Sequence, residues 1–252
     1  MHTPDVRHIE ICKHKGIPIT SDSLILDFGC GDGHRVYQLR DMGYRQAFGY
    51  NKGDFMDRPN PIKLRQEADA GWFRFSNHDV MPWPDNTFDL ILSDQVFEHV
   101  HDQQVVFREI HRVLKPGGVA VHVLPAKWQI IEPHLHVPLG GLIPFKRYAW
   151  YYFWALLGIR SPYQRGKSAS YVAQWNLKYA TECLNYLSCR QYAKLLQQFS
   201  WTMSWEELAY MQTSYKPRIR QIGQLAAVVP FMVSLIRTFR ERVMFLQKAT
   251  AA

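Results

Sequence analysis

Glu132, His134 and His136 stand at alternate positions in the segment Glu132-Pro133-His134-Leu135-His136-Val137-Pro138-Leu139. If that segment is extended, all three side chains share one face. A carboxylate beside an imidazole orients the ring and raises its basicity, which suits an acid–base pair. Three such groups on one face are also a donor set for a metal ion. The plain alternative is that they only bond loop backbone. All three readings stay open, and no metal is assigned. Two further histidines, His99 and His101, follow the apolar run Phe88-Asp89-Leu90-Ile91-Leu92-Ser93.

A second group of residues suggests a ligand site. Leu24-Ile25-Leu26-Asp27-Phe28 runs into Gly29-Cys30-Gly31-Asp32-Gly33. The first residues read as a parallel strand that is apolar on both faces. Glycines at alternate positions let the backbone turn sharply and approach a ligand where a Cβ would collide. Val36-Tyr37-Gln38-Leu39 then begins a helix whose first amides point at that ligand. The combination reads as a nucleotide-type site at the carboxyl end of the first strand of an open α/β sheet. The dinucleotide fingerprint needs a further glycine where His34 stands, so that class does not fit.

The elements that must position these groups follow in order. Asp5 to His14 reads as a helix, and Gly43 as the cap closing the helix after the glycine loop. Ala47 to Tyr50 and Phe73 to Phe75 read as strands two and three, with the helix-like stretch Asn60 to Gly71 between them. Phe88 to Ser93 is strand four. Phe107 to Leu114 has apolar residues at helical spacing, and Lys115-Pro116-Gly117-Gly118 turns the chain into strand five, Val119 to Leu124. Ser188 is placed to cap a helix over Leu187 to Leu196. Trp201 to Leu208, Ala226 to Phe239 and Val243 to Lys248 read as strand, helix and final strand.

The G-x-G-x-G loop with Asp27 two residues before it resembles motif I of class I S-adenosylmethionine (SAM) methyltransferases. Further motifs narrow the resemblance. Asp79-Val80, the turn Pro82-Trp83-Pro84, Asp85-Asn86, Phe88-Asp89-Leu90, then Val96-Phe97-Glu98-His99-Val100 and Lys115-Pro116-Gly117-Gly118 are similar to the type 11 group, which includes ubiquinone and menaquinone methyltransferases. The resemblance runs from about residue 22 to 125. It implies an α/β, Rossmann-like sheet of seven strands with helices on both faces, an inserted substrate lid, and a last strand inserted antiparallel.

It also implies roles. Asp27 would sit near the methionine ammonium of SAM, with Gly29, Gly31 and Gly33 forming the cradle. Asn51 would occupy the ribose position, where the family carries an acid, and Asp54 is a nearby substitute. Asp79 would accept the adenine amine, the Val80 amide would reach a ring nitrogen, and Val80 with Met81 would pack near adenine. Ser93 and Gln95 complete the implied cofactor set. The product cofactor would be S-adenosylhomocysteine. His99 lies in the shared E-H-V signature and reads as more structural than catalytic, although it joins His134, His136 and Glu132 as candidates.

By the same reasoning residues 1–21 form an arm over the cofactor, 22–125 the SAM-binding core, 126–185 an inserted lid, and 186–252 the rest of the core. The expected function is methyl transfer to a small-molecule acceptor, most readily an oxygen of a hydrophobic, glycosidic or lipid-linked metabolite, with a histidine as base. The acceptor-side residues include the aromatic run Tyr148-Ala149-Trp150-Tyr151-Tyr152-Phe153-Trp154, where Tyr148, Tyr151, Tyr152, Ala155 and Leu156 fall at helical spacing. Core packing explains such a stripe; a membrane-facing lid is the alternative, supported by Lys146, Arg147, Arg160, Arg165 and Lys167.

Composition sets the outer bounds. The 252 residues are 47% hydrophobic and 21% charged, with a net charge of +8 that favours an anionic partner. Four cysteines without C-x-x-C spacing fit a reducing cytoplasm, with the membrane surface as an alternative location. No apolar run has transmembrane length and the start is not a signal peptide. An RNA methyltransferase is a rival reading on charge, but Asp94-Gln95-Val96-Phe97 is not the Asn-Pro-Pro-Tyr type of motif and no RNA-binding module is visible. A catalytically silent SAM-binding or scaffold protein is a third reading, motivated by Asn51.

Overall fold

A computed structural model describes residues 7–53, 71–76 and 80–250. Asp54, Asp79 and the helix-like stretch 60–70 lie outside the described residues. The chain builds a seven-stranded sheet from β1 (Ile25–Phe28), β2 (Ala47–Lys52), β3 (Phe73–Ser76), β4 (Phe88–Asp94), β5 (Leu114–Pro125), β6 (Trp201–Trp205) and β7 (Glu241–Lys248). Their order is β3-β2-β1-β4-β5-β7-β6. The first five are parallel, with Ile25 opposite both Ala47 and Leu90, and β7 enters antiparallel between β5 and β6. This is the expected Rossmann-like arrangement.

Alternation along the strands explains why both faces are covered. Leu90, Leu92, Val119, Val121 and Val123 join one buried cluster with Ile9, Ile11 and Cys12 of α1 (Arg7–His14) and Val36 and Leu39 of α2 (His34–Asp41). Ile91, Ala120 and Leu124 point the other way, into a cluster with Phe107 and Ile110 of α3 (Gln103–Val113) and Tyr192 of α6 (Cys189–Leu196). Every residue of β1 is buried, as a central strand with two covered faces requires. The N-terminal segment thus supplies core through α1.

Residues 126–185 hold a small core of their own. α4 (Tyr148–Leu156) and α5 (Ala169–Glu182) enclose Leu135, Val137, Tyr151, Ala173, Ala180 and Leu184. Tyr151 Oη donates to Gly140 O at 2.6 Å and Trp150 Nε1 to Pro138 O at 2.8 Å, tying α4 to the loop that follows β5. The aromatic stripe is only partly core: Tyr151 and Ala155 are buried, whereas Leu156 is 62% exposed.

Three boundaries differ from expectation: β5 begins at Leu114 and takes in Lys115 to Gly118, which were expected as a turn, and two others lie further on. The sixth strand stops at Trp205, and α7 (Glu207–Gln212) takes over where a strand to Leu208 was expected. The expected helix Ala226–Phe239 is two, α8 (Pro217–Val228) and α9 (Pro230–Phe239). Pro230 explains the break: it has no N–H to give the preceding turn, and it drives Val229 out of helical geometry to φ −120°, ψ 80°. Pro230 then serves well as the first residue of a new helix. Among the described residues no helix is long and apolar enough to cross a membrane.

Candidate active site

β1 delivers Asp27 to the carboxyl edge of the sheet, and the glycine loop folds over it. Gly29, Gly31 and Gly33 all have positive φ, at 75°, 54° and 78°. A Cβ on Gly29 would stand 2.4 Å from the Val96 side chain, and one on Gly33 2.7 Å from the Phe73 ring. A Cβ on Gly31 would meet nothing within 4 Å among the described residues, so that side of the glycine leaves room for a ligand to approach. No side chain caps α2 at Gly33, which leaves its first turn facing the loop.

Beneath the loop lies a cavity of about 390 Å³ lined by Asp27, Gly29, Gly31, Asp32, Arg35 and Asp94, among others. Arg35, one turn into α2, reaches Asp94 Oδ2 at 2.6 Å and Asp27 Oδ1 at 3.4 Å. Asp27 is only 3% exposed. Burial pushes its pKa up to about 6, with Arg35 opposing the rise and Asp94 adding to it. The carboxylate is therefore poised for a second cation.

Asn51, at the end of β2, is committed to the loop itself. Its Oδ1 accepts from the Gly31 amide at 3.2 Å, and its Nδ2 donates to the Gly31 carbonyl at 3.0 Å. An amide side chain can do both, whereas a carboxylate has no donor for the carbonyl.

A second cluster lies between the end of β4, the loop after β5 and the end of α5. Glu98 and His99 sit in a short 3-10 turn, Phe97–His99. His99 Nδ1 bonds the Cys183 carbonyl at 2.9 Å, and burial lowers its pKa. A carbonyl only accepts, so Nδ1 carries the proton and the neutral ring has its lone pair on Nε2. His134 Nδ1 lies 2.7 Å from Glu132 Oε1, which leaves its Nε2 in the same condition. Burial works against protonating His134, but the hydrogen bond and charge of Glu132 outweigh it and its pKa is raised. Glu132, 1% exposed, is held by the Leu135 amide at 2.6 Å and Tyr186 Oη at 2.8 Å. The His99 and His134 rings meet edge to face, 4.9 Å between centroids.

The segment carrying the pair is not extended. Glu132 N donates to Val137 O and His136 N donates back to Glu132 O at 2.8 Å, closing a tight turn in which His136 has φ 58°. The expected common face therefore does not exist. Glu132 and His134 come together through the turn, while His136 is exposed and leaves the cluster.

Comparison with known proteins assigns the arrangement. Residues 26–122 match the type 11 family model described as a methyltransferase domain. Over 105 residues the chain is 33% identical to a sterol 24-C-methyltransferase of Neurospora crassa, covering 40% of this chain and 27% of that protein. Over 104 residues it is 26% identical to the 27-O-demethylrifamycin SV methyltransferase of Amycolatopsis mediterranei, covering 40% of this chain and 38% of that one. The chain thus spans well under half the length of these relatives. A SAM-dependent methyltransferase structure from Mesorhizobium loti shares the fold at a TM-score of 0.54, with 15% identity, 94% of this chain and 96% of that chain covered.

SAM is the cofactor of the methyltransferases that this chain resembles, and the site around Asp27 fits it on its own geometry. The buried, half-compensated Asp27 answers an ammonium, the open face of Gly31 admits close approach, and the first turn of α2 offers amide donors to a carboxylate.

Other sequence-derived residues are placed differently from expectation. Met81 is 2% exposed and packs in the core, its amide donating to Glu109 Oε2 at 2.9 Å, so it presents no surface to adenine. Ser93 is fully buried and bonds His122 Nδ1 at 2.8 Å, which removes it from the cofactor set. Val80 is 61% exposed and available to cover a ligand. Gln95 is exposed with φ 54°, an uncommon conformation for a residue with a Cβ and one that marks ligand-side loops. Asn51 bonds the loop at Gly31. Sequence reading missed Arg35, Asp94, Glu98 and Tyr186. For Arg35 and Asp94 a signal existed: a base one turn into the helix after the loop, and an acid closing the strand that neighbours β1.

Two outcomes follow. SAM binding favours the ionised Asp27, so affinity should be flat above about pH 7 and fall as pH drops through about 6, approaching tenfold per unit. Calorimetry between pH 5 and 7 reads this, and Asp27→Asn should flatten the profile. Asn51→Asp should weaken SAM binding by loosening Gly31; tighter binding would return position 51 to the ribose.

Proposed function

We propose that the protein transfers the methyl group of SAM to an oxygen of a small hydrophobic, glycosidic or lipid-linked acceptor. The observation that carries this reading is the Glu132–His134 pair, set with His99 just beyond the strand end that bears Asp94. Methyl transfer needs a dry, aligned encounter and an acceptor lone pair. SAM supplies a methyl already attached to a sulfonium leaving group. Asp27 and the glycine loop hold the cofactor end, and the Glu132-backed His134 lone pair serves deprotonation of the acceptor.

Incubation of methyl-labelled SAM with metabolite and lipid extracts should give a labelled product. His134→Ala should lower its formation by about a hundredfold or more while SAM affinity stays within a few-fold. Full activity in that variant would remove the base assignment.

In this reading residues 126–185 form the lid over the acceptor, residues 1–21 border the cofactor, and 22–125 with 186–252 form the core. Peripheral contact with a membrane surface belongs to the same proposal. α9 buries none of its residues, Val228 and Phe231 are 79% and 67% exposed, and exposed Lys216, Arg218, Arg220 and Arg240 flank them. Vesicles rich in phosphatidylglycerol should sediment the protein and neutral vesicles should not, with Phe231→Glu reducing the effect. Equal absence from both pellets would refute the contact.

A further inference from the structure

The acceptor-side cluster contains a group that base catalysis leaves unexplained. Glu98 is 1% exposed, and among the described residues no residue other than Glu98 itself offers a hydrogen bond to either carboxylate oxygen. Leaving a buried carboxylate without a donor is costly, and native structures retain such a group where something else answers it. Glu98 Oε1 faces His99 Nε2 at 3.9 Å. One ligand atom each from Glu98, His99 and His134 lie within 4.8 Å of one another.

We propose that Glu98, His99 and His134 form a binding site for one divalent transition-metal or zinc ion. Both imidazoles are prepared for it. Each spends Nδ1 on a fixed acceptor, Cys183 O for His99 and Glu132 for His134, which makes Nε2 the coordinating atom, and His99 Nε2 faces Glu98 Oε1. The Glu132–His134 contact is the carboxylate–histidine arrangement that orients metal-bound rings, and Glu132 is itself anchored by Leu135 N and Tyr186 Oη. Two imidazole nitrogens and one carboxylate oxygen favour zinc, manganese, iron or cobalt over magnesium or calcium. Bonds of about 2.0 Å place ligand atoms about 3.3 Å apart, so the three side chains close inward by little more than an ångström. Three protein ligands leave coordination positions for an outside oxygen.

The site's existence depends only on these side chains. Its role rests on the proposed methyl transfer: with the ion bound, His134 would serve as a ligand rather than as the base, and the ion would hold the acceptor oxygen and lower its pKa so that its proton passes to solvent water before the methyl group is transferred.

The test is titration of chelator-stripped protein with Zn²⁺, Mn²⁺, Co²⁺ and Mg²⁺, without SAM or acceptor. One equivalent should bind per chain, Mg²⁺ most weakly, and Co²⁺ should give ligand-field absorption. Glu98→Gln, nearly isosteric, and His134→Gln should each weaken binding by a hundredfold or more, Glu132→Gln by about 10–100-fold, and exposed His136→Ala should change nothing. Thermal melts of the variants separate misfolding from ligand loss, and a misfolded Glu98→Gln leaves His134→Gln to decide. Absence of a saturable equivalent, or binding that survives both Glu98→Gln and His134→Gln, overturns the site. Failure of the methyl-transfer reading would appear separately, as no SAM binding in a protein that still takes up the ion.

Discussion

A carboxylate buried at the end of the central strand sets the terms for the rest of the molecule. Asp27 is nearly inaccessible, and its ionised form needs a cation close by. The sheet order supplies the place. Strand sequence runs outward from β1 in one direction through β2 and β3, and in the other through β4 and β5, so the crevice between β1 and β4 is the switch point of the sheet. Asp27 and Asp94 stand on its two sides with Arg35 reaching both. Asp27 is buried and its pKa is raised despite Arg35, so a ligand ammonium beside it would favour its ionised form.

The same economy governs the loop above. Three positive-φ glycines would be mobile without an external clamp, and Asn51 provides it by bonding both polar groups of Gly31. An acid at that position would trade one of these bonds for contact with a sugar. On the acceptor side the insertion builds its own small core, which lets the tight turn from Glu132 to Val137 be held from α4 and α5. His136 and Leu139 both take positive φ in that loop, strain that the surrounding packing sustains.

Much of this was legible in the residues. The apolar run into the glycine loop and the apolar runs of strands four and five each have a local physical cause, and each appeared where expected; Lys115 to Gly118, expected as a turn, instead lie within β5. What failed depended on contacts between distant segments. The period-two argument for Glu132, His134 and His136 assumed extended backbone, and one returning hydrogen bond converts that segment into a turn. Ser93 and Met81 follow the right motifs but face inward, because alternation decides their side and a motif does not. The break at Pro230 was available locally, since an interior proline ends a helix, and a long apolar run obscured it. Glu98 is different again: its significance lies in a buried carboxylate that no other described residue hydrogen-bonds, which only packing reveals.

Calorimetric titration of the purified chain with SAM and with S-adenosylhomocysteine tests the central claim most directly. The account predicts one site per chain, micromolar affinity for both, and a large loss of binding in Asp27→Ala. Heat-silent mixing with either ligand, confirmed by an unchanged melting temperature, would contradict it, and the cavity beneath the glycine loop would then need another occupant.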